Sequence, residues 1–141
     1  MGTISKDFSY SEFERSETAE RRGIVNVIAT AKVRDSIQAL VVNVLQPLRT
    51  ALGVEMPVNS GYRCPELNEA VGGVPTSQHL MGEAADIATP MPLRMARKAV
   101  EMGLPFDQMG IYNTFVHFSH KLGGPQRGEI FYSKDYKGER L

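Results

Sequence analysis

Tryptophan is absent, cysteine occurs once, and neither sign of charge is in excess: sixteen Lys and Arg stand against sixteen Asp and Glu. A single cysteine, Cys64, excludes both an intrachain disulfide and a thiolate metal cluster; beside Pro65 it reads as a small residue at a turn. The neutral balance, with no basic run, removes the electrostatic drive for non-specific nucleic-acid binding, so no nucleic-acid partner is expected. No segment reaches the roughly 18 apolar residues that a membrane span needs. The first residues also lack the basic and then apolar pattern of a secretory leader. Synthesis in the cytoplasm without a signal peptide and without membrane insertion is therefore expected, and oligomeric state is left open.

With 141 residues the chain is expected to form one domain, 1–141, around one core. Ser9-x-x-Glu12 and Ser11-x-x-Glu14 both have the form of a capping box, which predicts a helix from about Ser11 to Arg22 stopped at Gly23. From Thr30 to Leu52 the residues Val33, Ile37, Leu40, Val41, Val44, Leu45, Leu48 and Leu52 keep a three-to-four spacing, the mark of a buried stripe. Pro47 lies inside this helix and predicts a kink with the Asn43 carbonyl unpaired. A short strand over Met56–Ser60, a helix from Pro65 to Gly72-Gly73 and a helix opened by Pro90 and Pro92 and running to about Met102 follow. The last helix is expected to bury Leu93, Ala96, Ala99 and Val100, with Met91, Met95 and Met102 as core filler.

Residues 106–133 alternate and are rich in β-branched and aromatic side chains, which suggests antiparallel strands. A tight turn at Asn113-Thr114 would pair Tyr112 with Phe115, Gly110 with His117 and Gln108 with Ser119. In that register His117 shares a face with Tyr112, Gly110 and Gln108. Gly110 would leave room beside it, and Asp107 would lie across from His120 on the opposite face. The fold class is thus α+β, a small antiparallel sheet packed against several helices.

The most informative stretch is Ser77-Gln78-His79-Leu80-Met81-Gly82-Glu83-Ala84-Ala85-Asp86-Ile87, together with Phe115-Val116-His117-Phe118-Ser119. Imidazole and carboxylate are ordinary donors to a divalent cation, so His79, Asp86 and His117 form a candidate three-ligand set. Gly82 supplies the turn that folds His79 back toward Asp86. Taken alone, such a pair also fits a capping residue and a surface charge, and the histidines also fit buried hydrogen-bonding groups in a metal-free domain.

The ordered pattern Ser77-x-His79-x-x-Gly82-x-Ala84-x-Asp86, followed by a hydrophobic-His117-x-Ser119 element, resembles the zinc D-Ala-D-Ala carboxypeptidase family. That family lies within the larger group holding lysostaphin-type peptidases and the hedgehog signalling domain. The run Ser60-Gly61-Tyr62-Arg63-Cys64-Pro65-Glu66-Leu67-Asn68, with Phe106-Asp107-Gln108 and Phe8-Ser9-Tyr10-Ser11-Glu12-Phe13, resembles further segments of its phage and bacterial members. The resemblance implies Zn2+ on His79, Asp86 and His117, with Arg63 facing a peptidoglycan stem peptide. Ser77 and Gln108 are further candidates for substrate contact. Zinc-activated water would then cut a D-Ala-D-Ala or an L-Ala-D-Glu bond, in an endolysin-like enzyme of phage or prophage type acting at the cell wall or periplasm after release or delivery.

One departure stands out. Relatives place an acid or a histidine a few positions before the third ligand, whereas residues 110–116 contain neither. Tyr112 is the nearest residue on the expected face and, with an ordinary pKa near 10, suits a donor better than a base. His120 has a suitable intrinsic pKa for proton transfer and would need a bend after Ser119 to reach the site. The missing base also fits an alternative from another class, a catalytically silent zinc-containing peptidoglycan-binding or virion structural module.

Overall fold

A computed structural model describes residues 2–141. A small hairpin, β1 (Thr3–Ser5) and β2 (Phe8–Ser9), leads into two short helices, α1 (Tyr10–Glu14) and α2 (Glu17–Arg22). The single helix expected from Ser11 to Arg22 is therefore broken at Arg15-Ser16. Its cause is tertiary: Asn26 donates from Nδ2 to both the Glu14 and Tyr62 carbonyls at 2.9 Å, and the Glu14 carboxylate accepts from the Ile28 amide at 2.7 Å. Ser9 and Glu12 form the capping box, Ser16 starts the second helix by accepting from the Ala19 amide, and Gly23 ends it at φ 67°.

The long helix runs as α3 (Ala31–Leu40), a π turn (Val41–Leu45) and α4 (Gln46–Leu52). Its stripe of Ile37, Leu40, Val41, Val44, Leu45 and Leu48 is wholly buried, as the spacing predicts. The distortion expected at Pro47 takes the form of the π turn, in which the Gln46 amide donates to the Val41 carbonyl. This shift sets Pro47 in the first turn of α4, where a missing N–H costs least.

Next come β3 (Val58–Ser60), α5 (Pro65–Ala70), a 3₁₀ turn (Gln78–Met81), β4 (Ala84–Ala88) and α6 (Pro92–Glu101), then β5 (Gln108–Ile111), β6 (Phe115–Ser119) and β7 (Glu129–Tyr132). In α6 the buried residues are Met95, Ala96 and Ala99. Val100, expected inside, is 45% exposed, and Met91 and Met102 are also exposed, so Met95 alone of the three methionines fills the core.

Five strands form one sheet in the order β3-β4-β6-β5-β7. The β5–β6 hairpin has the expected register, with Gly110 opposite His117 and the Tyr112 amide donating to the Phe115 carbonyl. The last strand departs from the antiparallel expectation, because β7 pairs with β5 in parallel and makes the sheet mixed. One face buries Ala85, Ile87, Met109, Ile111, Val116 and Phe118 in the same core as the long helix and α6. Across the other face run Ser60, Asp86, His117, Gly110 and Phe131 on five successive strands. No described helix is long and apolar enough to cross a membrane.

Candidate functional site

His79 is carried by the 3₁₀ turn, whose geometry is set at both ends. Ser77 Oγ accepts from the His79 amide at 3.2 Å, and Gly82 closes the turn at φ 74°. A side chain at Gly82 would be strained there, and its Cβ would also lie 2.7 Å from the Val33 carbonyl oxygen. Segment 61–63 grips the same histidine. The Arg63 amide donates to the His79 carbonyl at 3.1 Å, and His79 Nδ1 donates to the Gly61 carbonyl at 2.7 Å. With the proton on Nδ1, the Nε2 lone pair is free, the arrangement usual for a metal-ligating imidazole.

Asp86 on β4 and His117 on β6 are direct cross-strand partners. Asp86 Oδ1 lies 2.8 Å from His117 Nδ1 and 3.5 Å from His79 Nε2, and the two imidazole centroids are 5.3 Å apart. Burial alone would raise the Asp86 pKa, but contacts with the His117 and His79 imidazoles outweigh it and hold the carboxyl well below the usual carboxylate range. One donor atom from each of His79, Asp86 and His117 falls within 4.8 Å of the others. Two imidazoles and an ionised carboxylate so gathered could hold a divalent metal ion, and the donor chemistry fits zinc among others.

Arg63 stands beside the triad. Its Nε donates to Ser60 Oγ and its Nη1 to Asn68 Oδ1, both at 3.1 Å, while Nη2 lies 3.8 Å from Asp86 Oδ2. Burial lowers its pKa and Asp86 partly restores it. Gly73 makes space for this arrangement, since a Cβ there would sit 2.9 Å from Arg63 Nη1.

The remaining sequence candidates fall in different places. Ser77 caps the turn that holds His79. Gln108 donates to the Glu129 carboxylate at 2.7 Å. Tyr112 stacks on Phe115 with centroids 4.2 Å apart, and its phenol is pushed up first by burial and then by the charges of Asp86 and Asp135. His120 does not join the triad: it is buried and donates from Nδ1 to the Pro105 carbonyl at 2.8 Å. The expected partnership of His120 with Asp107 is also not formed. Asp107 instead takes a forked ion pair from Arg127, with Nη2 at 2.7 Å and Nε at 3.1 and 3.2 Å, and accepts from Gln78 at 3.2 Å. The Arg127 hydrogen bonds hold the Asp107 carboxyl down at about 2.

Gly110 was expected to leave room at the site, yet Phe131 occupies that space. A Cβ at Gly110 would run into the Phe131 ring, whose centroid lies 6.2 Å from that of His117 and 6.3 Å from that of Tyr112. Sequence reasoning missed this aromatic wall because β7 reaches its place by parallel pairing, which no local pattern announces.

Comparison with curated proteins found no match. The family model described as peptidase M15 matches residues 6–119, which takes in the triad, Arg63 and the strands of the site except β7. The ordered motif and the clustered donors thus coincide with a match over most of the chain, and the protein belongs to the peptidase M15 family, metallopeptidases of peptidoglycan peptides.

Proposed function

We propose that the protein is a zinc-dependent peptidase that cleaves a peptide bond in peptidoglycan stem peptides, of the D-Ala-D-Ala carboxypeptidase or L-Ala-D-Glu endopeptidase type. The observation that carries this reading is the convergence of donor atoms from His79, Asp86 and His117 within 4.8 Å. A zinc ion held by these three side chains would supply a Lewis acid for the scissile carbonyl and a water of lowered pKa.

The chain's own residues do the rest. The Gly61 carbonyl fixes the His79 ring and its tautomer. Arg63, held by Ser60 and Asn68, offers a planar, permanently charged donor to a substrate carboxylate or a developing oxyanion. Tyr112 keeps its proton at neutral pH and can donate but not abstract. The proposed place of action is the cell wall, after release or delivery of an endolysin-like enzyme.

A second reading, a silent zinc-containing binding or virion structural module, is favoured by one observation. Residues 110–116 hold no acid or histidine, and among the described residues neither Asp107 nor His120 contacts the triad. Digestion of purified peptidoglycan separates the two readings. The peptidase releases new amino groups, loses this activity in EDTA and in His79→Ala, and mass analysis of its products identifies the bond. Stoichiometric zinc with no products would establish the silent module instead.

A further inference from the structure

A cleft of about 540 Å³ opens beside the triad, between α2 and the outer side of β3, with Val71 at the end of α5 as a third wall. Its volume is in the range that takes a small ligand or a short peptide segment. Ser60 and Arg63 line it, and both also belong to the triad's surroundings, through the Arg63 contacts to Ser60 Oγ and Asp86. Arg63 thus links the cleft to the candidate metal site, although none of the three donor residues lines it.

Its charge is unlike that of the chain as a whole. Sixteen cations balance sixteen anions over the sequence, yet the lining holds Arg15, Arg21 and Arg63 against a single acid, Glu17. Glu17 meets Arg21 at 3.9 Å between two highly exposed side chains, a contact too loose to neutralise the guanidinium. Arg15 sits at the break between α1 and α2. Its backbone is extended there, at φ −67° and ψ 134°, and its side chain is exposed.

The other wall suits a peptide. β3 is an edge of the five-stranded sheet, so its outer side carries no strand, and Pro57, Val58, Asn59 and Ser60 all line the cleft. An exposed edge offers main-chain hydrogen bonds to an extended peptide, while side chains around it supply selectivity.

We propose that this cleft is a binding subsite for an extended, carboxylate-bearing peptide segment running along β3, with Arg15 and Arg21 as the contacts that select the carboxylate. The inference rests on the peptidase reading for its ligand class, since a glutamate within a peptide uses one of its two carboxyls in the chain and keeps the other free. Arg63 ties the subsite to the reacting centre.

The test is a titration of the ¹⁵N-labelled 141-residue chain, with metal removed by chelation so that no turnover consumes the ligand. Two synthetic stem peptides are compared, identical except that the glutamate carboxylate is free in one and amidated in the other. Amide shifts at residues 15–21 and 58–60, and about tenfold tighter binding of the free carboxylate, are expected. The Arg15→Gln/Arg21→Gln protein should bind both peptides alike and should keep the wild-type spectrum elsewhere. On zinc-loaded protein the same pair should raise KM for the free-carboxylate peptide about tenfold and leave kcat within twofold. Equal affinities for the two peptides, or shifts confined to other surfaces, would overturn the subsite. Selective binding in the cleft without any hydrolysis would keep the subsite and remove the peptidase reading. Hydrolysis with a KM indifferent to both arginines would do the reverse.

Discussion

The two faces of the five-stranded sheet are built from neighbouring residues with opposite tasks. Ile87, Val116, Phe118, Met109 and Ile111 point one way into a core that excludes water entirely. Asp86, His117 and Gly110 face the other way, one residue along the same strands, with Phe131 of β7 beside Gly110. Apolar area and close packing hold the first face, and substitutions there are felt through volume. Polar contacts hold the second: burial would favour the neutral Asp86 carboxyl, and the His117 and His79 imidazoles outweigh it, with the Arg63 guanidinium 3.8 Å away. The core face therefore carries stability and the site face carries chemistry, with the strand backbone common to both.

Substitutions on each face should separate these tasks. The largest effect is expected on the site face, where, on the proposed zinc-peptidase reading, His117→Ala should abolish stoichiometric zinc and lower kcat/KM about a thousandfold or more, because several kcal/mol of transition-state stabilisation would depend on the metal. Elemental analysis beside peptidoglycan digestion checks this, and near-wild-type stability of the metal-free proteins would show that the loss is local. On the core face Phe118→Ala should cost about 3–5 kcal/mol in urea unfolding, while the folded fraction still binds zinc. If it lost zinc before it lost its fold, the division between faces would fail.

Gly110→Ala tests the contact between the two. Its new methyl group must displace the Phe131 ring, and about 1–3 kcal/mol of destabilisation is expected, relieved in the Gly110→Ala/Phe131→Ala double variant. Acid stability probes the Asp107–Arg127 clip beside the sheet. Because the folded pKa of Asp107, about 2, lies below the ordinary value, its contribution is present above about pH 4 and is lost as pH falls from there toward 2. The gap in urea midpoint between wild type and Asp107→Asn should accordingly be full at pH 6 and shrink toward pH 2. The smallest effect is expected for His120→Ala: about 1 kcal/mol from the lost bond to the Pro105 carbonyl, with zinc content unchanged.

Much of the site was legible in advance. The motif from Ser77 to Asp86 announces its turn, because Ser77 and Gly82 are the residue types that such a turn requires, and the Asn113-Thr114 hairpin carries its own register to His117. Other features were hidden because their causes lie elsewhere in the chain. Asn26 breaks the first helix by bonding the Glu14 and Tyr62 carbonyls, β7 joins in parallel, and Arg127 captures Asp107 from 20 residues away.

The amino-acid sequence by itself determined the periodic elements and the turn chemistry, since spacing and residue type act over a few neighbouring positions, and it pointed to His79, Asp86 and His117 as candidate donors through an ordered motif. Only the tertiary structure decided which groups surround those donors: the Gly61 carbonyl on His79, Phe131 over Gly110, and the arginine-lined cleft against the free edge of β3. These depend on how segments far apart in the chain meet, and such meetings are set by packing of the whole core rather than by any local pattern.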